Sequence, residues 1–159
     1  MNIWIPYTIT NVAGLLLWYC ASRSTRLARL FFFLLFGWAC WFNLHTALNN
    51  PTLYLMYSNG SADLYSRFIE GWFSRHITAT VSVIAIGQGA IATGMLLKGN
   101  WVRLACAGSI VFLLAIVPLG LNSAFPFSLT AAAASYLIWR NDPLTYLWKH
   151  KQPEHVQTI

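Results

Sequence analysis

Residues 28–48 read ARLFFFLLFGWACWFNLHTAL and carry no charge apart from Arg29 and the ionisable His45. At 1.5 Å per residue such a run crosses a hydrocarbon core roughly 30 Å thick, and it lacks the charged face that a helix on a soluble core needs. Working outward, residues 3–21 (IWIPYTITNVAGLLLWYCA), 76–97 (HITATVSVIAIGQGAIATGMLL) and 102–122 have the same character. Residues 124–140 (AFPFSLTAAAASYLIWR) form the shortest candidate, reaching only about 25 Å. Pro143 limits its continuation beyond Arg140. The expected architecture is all-α: a polytopic membrane helical bundle of five transmembrane helices filling residues 1–159 as a single integral membrane domain.

Composition agrees. Of 159 residues 57% are apolar and only 9% charged, against a usual quarter charged in soluble domains, which excludes a disordered chain and an ordinary soluble enzyme. Aromatic residues make up 16%, eight of them Trp, and the mean hydropathy is +0.54. That is more apolar surface than one core of this length can hide.

The ten basic residues orient the spans, because cytoplasmic loops collect Lys and Arg. Arg23, Arg26 and Arg29 follow the first span, Lys98 and Arg103 separate the third from the fourth, and Arg140, Lys149 and Lys151 follow the fifth. Only Arg67 and Arg75 fall on the other side, offset there by Asp63 and Glu70. The expected topology has the N-terminus outside, the C-terminus cytoplasmic and the chain in the cell membrane. The first span carries its positive cluster after the apolar run, so it reads as a retained helix and not a cleaved signal peptide. Net charge +6 is explained by insertion and anionic headgroups, and no nucleic-acid motif is present. The expected partners are the lipid bilayer and a membrane or redox subunit.

The longest connection, residues 49–75, contains the turn signal Asn59-Gly60-Ser61, which also matches a glycosylation sequon. Ser61 is placed to cap a helix with Asp63 in its first turn, and Leu64, Phe68 and Trp72 recur at four-residue spacing. An amphipathic helix on the outer leaflet and a structured loop over the helix ends both fit. Cys20, Cys40 and Cys106 are widely spaced, inside spans, and read as packing residues.

Polar side chains at membrane depth are costly and become candidates for function. Asn43, His45 and Asn49 occupy the outer turns of the second span, His45 and Asn49 four apart on one face. Glu70, Arg75 and His76 lead into the third span, and Asn122 ends the fourth beyond Pro118. On the third span Gln88 interrupts the stripe Ile77, Val81, Ile84, Ile91, Met95, so an amide there requires a protein partner. These eight residues, Asn43, His45, Asn49, Glu70, Arg75, His76, Gln88 and Asn122, form the expected ligand-binding set around an outward-facing pocket. A quinone head or a small anion fits such a set, with His exchanging protons and Arg75 balancing charge. The alternative is that they satisfy backbone groups freed at helix ends. No short ligand spacing marks a metal site.

Features spread over residues 27–139 resemble the DoxX-like group of small membrane proteins. Arg26 and Arg29 lead an aromatic-rich helix with Gly37, followed by a long outer connection, the Gly-rich IAIGQGAIATGMLL, the basic turn KGNWVR and a hairpin around PLGLNSAFP. The resemblance implies a four-helix module, here preceded by the span 3–21, and in some members the small subunit of a thiosulfate:quinone oxidoreductase. No residue set of those thiosulfate-oxidising members is recognisable here, and no haem, iron–sulfur or flavin signature is present, so electrons would come from a partner. The function expected is ligand binding within a redox system, with quinone as the cofactor class. A non-catalytic accessory or assembly subunit of a larger membrane complex is the alternative, and catalysis is left open.

Overall fold

The computed structural model describes residues 4–123 and 125–148, the side chains of 6 and 121–123 excepted. Every regular element among them is helical. The long helices are α1 (Trp4–Arg23), α2 (Thr25–Asn49), α4 (Ile77–Leu96), α5 (Asn100–Ala115) and α6 (Phe127–Asn141). Between α2 and α4 lie a 3-10 segment, Pro51–Ser58, and the short α3 (Asp63–Phe68), which runs on into a wider π turn, Ile69–Phe73.

Local chemistry sets these boundaries. Ser24 leaves the helical region (φ −150°) and its hydroxyl accepts the Leu27 N–H, so this single residue separates α1 from α2. Pro51 disfavours a helical Asn50, which has φ −142° and ends α2. The span expected over 102–122 is helical only as far as Ala115. Pro118 supplies no N–H and Gly120 takes φ 70°, so Val117–Ser123 continues as irregular 3-10 turns. Ser61 does not cap α3: Ala62 holds that position, and the Ser61 hydroxyl donates to the Ser58 carbonyl at 3.1 Å.

Interhelical contacts fix the directions. Asn43 meets Gln88, Gly89 faces Cys40, and the Thr78 hydroxyl reaches the Ala47 carbonyl, so α2 and α4 are antiparallel. Gly94 against Ala105 and Gly108 against Ile91 make α4 and α5 antiparallel. The buried Ser109 and Ser135 hydroxyls, 2.6 Å apart, join α5 to α6. Helix α1 lies on α6 at Gly14, where a Cβ would collide with Thr130 Oγ1; only glycine permits that approach.

One end of the bundle therefore gathers Arg23, Arg26, Lys98, Arg103 and Arg140, and the other holds the 51–73 hairpin. Arg29 is turned inward at the basic end and is 1% exposed. It donates to the Met95, Leu97 and Thr145 carbonyls at 2.8, 2.6 and 2.9 Å and to Asp142 Oδ1 at 3.0 Å. It thus seals the open end of α4 and ties down the segment after α6. Its charge is neutralised by a buried carboxylate and is not part of the basic rim. Lys149 and Lys151 lie outside the described residues.

Apolar burial is split into two layers. The larger contains Phe32 and Phe36 of α2, Met95 of α4, Val102 and Leu113 of α5 and Ile138 of α6. The smaller, at the hairpin end, joins Ala47, Ile69, Phe73, Ile77 and Val81. Large apolar side chains nevertheless face outward from all five long helices, among them Leu16, Leu34, Trp38, Val83, Ile86, Leu104, Val111 and Tyr136. Helices α2 and α4 are long and apolar enough to cross a membrane.

Candidate functional site

After Pro51 the chain winds at about three residues per turn, which puts Tyr54 and Tyr57 on one face, their rings 6.2 Å apart. Gly60, at φ 87°, reverses the chain. The hairpin then rests on the far end of α5: the Ala62 N–H donates to the Pro118 carbonyl at 3.0 Å, and the Tyr65 hydroxyl to the Ala115 carbonyl at 2.9 Å. A Cβ on Gly120 would stand 2.9 Å from the Gly60 carbonyl, so this contact requires glycine. Ile69 and Phe73 turn down onto Ala47, Ile77 and Val81 and anchor the returning arm.

Beneath this roof α4 and α5 enclose a cavity of about 550 Å³. Pocket volumes of about 300–1,000 Å³ accommodate small organic ligands. Its walls are Thr80, Val81 and Ile84 of α4, Phe112 and Ala115 of α5 and Ile116 just beyond it. The hairpin contributes Tyr54, Tyr57, Tyr65 and Phe68, and α2 contributes Asn43. No charged side chain lines it among the described residues. Ile84 and Phe68 are both lining and exposed, 37% and 47%, so the cavity reaches the flank of the bundle between helices.

The polar floor is a chain of three side chains. The Tyr54 hydroxyl donates to Asn43 Oδ1 at 2.9 Å, and Asn43 Nδ2 donates to Gln88 Oε1 at 2.8 Å. This answers the requirement for a partner at Gln88, which is 2% exposed on the buried face of α4. Burial, then the neighbouring Tyr57, push the Tyr54 hydroxyl above its ordinary pKa of 10.0, with a hydrogen bond from Thr46 acting the other way. Burial raises Tyr57 too.

The eight residues expected around the pocket do not all converge there. Asn43 lines the cavity and Gln88 supports it from behind. His45 is exposed, stacked on Trp41 at 5.5 Å, with Asn49 donating to its carbonyl at 2.8 Å. His76 is exposed and stacked on Trp72 at 4.7 Å, and Glu70 and Arg75 are exposed. The Asn122 side chain lies outside the described residues. The reason is angular: α2 buries Phe32, Phe36, Thr46 and Ala47, and His45 follows Asn43 by two positions, roughly 200° round a helix advancing 100° per residue. The tyrosines were legible only as a three-residue repeat after a proline. Among the described residues no three His, Cys, Asp or Glu side chains gather as metal ligands would.

Compared with known proteins, the chain matches no family model, no curated protein and no solved structure.

Proposed function

We propose that this is a five-helix integral membrane protein of the DoxX-like type that binds a lipophilic, quinone-like ligand beneath its hairpin as part of a redox system. The single observation that carries the reading is the cavity itself: an aromatic chamber with an uncharged lining, a short amide–hydroxyl floor and a rim of Ile84 and Phe68 on the helix flank. Among the described residues a small anion finds no cationic side chain on these walls and would forfeit its hydration there. A planar ring finds aromatic faces, and a carbonyl finds hydroxyl or amide hydrogens.

The outward-facing apolar side chains of α1, α5 and α6 support their crossing the bilayer alongside α2 and α4. The segregation of Arg23, Arg26, Lys98, Arg103 and Arg140 at one end supports a cytoplasmic placement of that end, with the hairpin outside. Oxidation or reduction of the ligand is assigned to a partner that carries the electrons.

Titration of the protein in nanodiscs with 1,4-naphthoquinone, against empty nanodiscs, tests the reading. Saturable binding is expected, unchanged in His45→Ala and His76→Ala and weakened at least tenfold in Ala115→Trp, which fills the chamber. Binding of an inorganic anion in place of the quinone, or no saturable binding at all, would overturn it.

A further inference from the structure

Three tyrosines line the cavity, and their hydroxyl hydrogens are not equally available. Tyr65 spends its hydrogen on the Ala115 carbonyl at 2.9 Å. Tyr54 is directed at Asn43, both at Oδ1 (2.9 Å) and at the backbone carbonyl (3.3 Å). Flipping the Asn43 and Gln88 amides would reverse the side-chain bonds, but the Asn43 carbonyl can only accept, so the Tyr54 hydrogen stays engaged in either polarity. Tyr57 is different: it is partly buried in the same lining, stacked on Tyr54, and has no hydrogen-bond partner among the described residues. Its oxygen is not sealed in the protein, so the hydroxyl is open to the cavity and free to donate to an accepting atom of a ligand there.

We propose that the Tyr57 hydroxyl is the group that recognises the ligand, donating a hydrogen bond to a ring carbonyl oxygen while Tyr54 and Tyr65 serve as fixed walls. The inference rests on the ligand reading above and narrows it to ring compounds bearing an accepting oxygen. Burial keeps the phenol protonated through the physiological range, as donation requires.

The test compares 1,4-naphthoquinone with naphthalene, the same fused rings without carbonyls, by calorimetric titration in nanodiscs. Tyr57→Phe keeps the ring and deletes the donor. It is expected to weaken the quinone about 2- to 10-fold, the worth of one neutral hydrogen bond, and to leave naphthalene within about twofold. Tyr65→Phe is expected to leave the ratio of the two affinities unchanged. An unchanged ratio in Tyr57→Phe overturns the proposal, as does an unchanged ratio there with its loss in Asn43→Leu, which would assign donation to the second Asn43 amide hydrogen. Wild-type protein that binds neither compound overturns the ligand reading itself, a result separable from the first.

Discussion

Replacing Asp142 with alanine should damage this protein far more than its position after the last helix implies. The carboxylate sits at the C-cap of α6, where the helix dipole opposes a negative charge, and is 9% exposed. It is held by Arg29 at 3.0 Å and by the Leu144 N–H at 2.7 Å. Its removal strands a buried guanidinium, which costs about 3–5 kcal/mol when one member of a buried pair is deleted. The three carbonyls that Arg29 also binds remain in place and offset part of that loss, so about 3 kcal/mol is expected. Arg29→Met removes the donor from all three carbonyls as well and should cost more, about 4–5 kcal/mol. Combining Asp142→Ala with Arg29→Met should fall short of the sum of the single changes by about 2 kcal/mol or more. Equilibrium unfolding in mixed micelles, followed by tryptophan fluorescence, gives these values. A loss under about 1 kcal/mol for Asp142→Ala, or strict additivity in the cycle, would refute the account of the pair as a lock.

Gly94→Leu should destabilise by at least about 2 kcal/mol because even a Cβ there would lie 2.7 Å from that of Ala105, whereas Gly37→Ala, with open space around the added carbon, should be neutral or stabilising by up to about 1 kcal/mol; thermal unfolding of both distinguishes packing from propensity. Tyr54 and Tyr57 both have raised pKa values, so the stability they contribute is intact below pH 10.0 and is lost as pH climbs through that value towards their folded values; a flat unfolding midpoint across that range would count against their burial. In intact cells an impermeant thiol reagent should label Leu64→Cys in the hairpin and spare Lys98→Cys until the membrane is opened, in a background with the three native cysteines replaced; the reverse pattern inverts the proposed orientation.

The long helices were legible as apolar runs, but the run expected over 102–122 hid the end of α5 at Ala115, because Pro118 and Gly120 lie inside it without breaking its apolar character. Gln88 was legible for a related reason, since an amide in an apolar stripe demands a neighbour, and Asn43 is that neighbour at 2.8 Å. What spacing could not supply was which face of α2 turns inward. In a helix rich in large apolar residues on every side, Asn43 and His45 look alike, and only the packed bundle separates them. Asp142 was hidden for a different reason: its partner is 113 residues away in sequence, and next to Arg140 it reads as part of a solvated tail. The cavity tyrosines lay in a connection whose hydrophobic signal was dominated by Leu64, Phe68 and Trp72, all of which point away from it or form its rim.

The pinch of Gly94 against Ala105 makes the space between α4 and α5 a wedge, shut at the basic end and wide only under the roof. Among the described residues the seam between α4 and α5 therefore offers a guest in the chamber no way down to the basic end. On the function proposed above, a protein exchanging electrons with that guest approaches from the hairpin half.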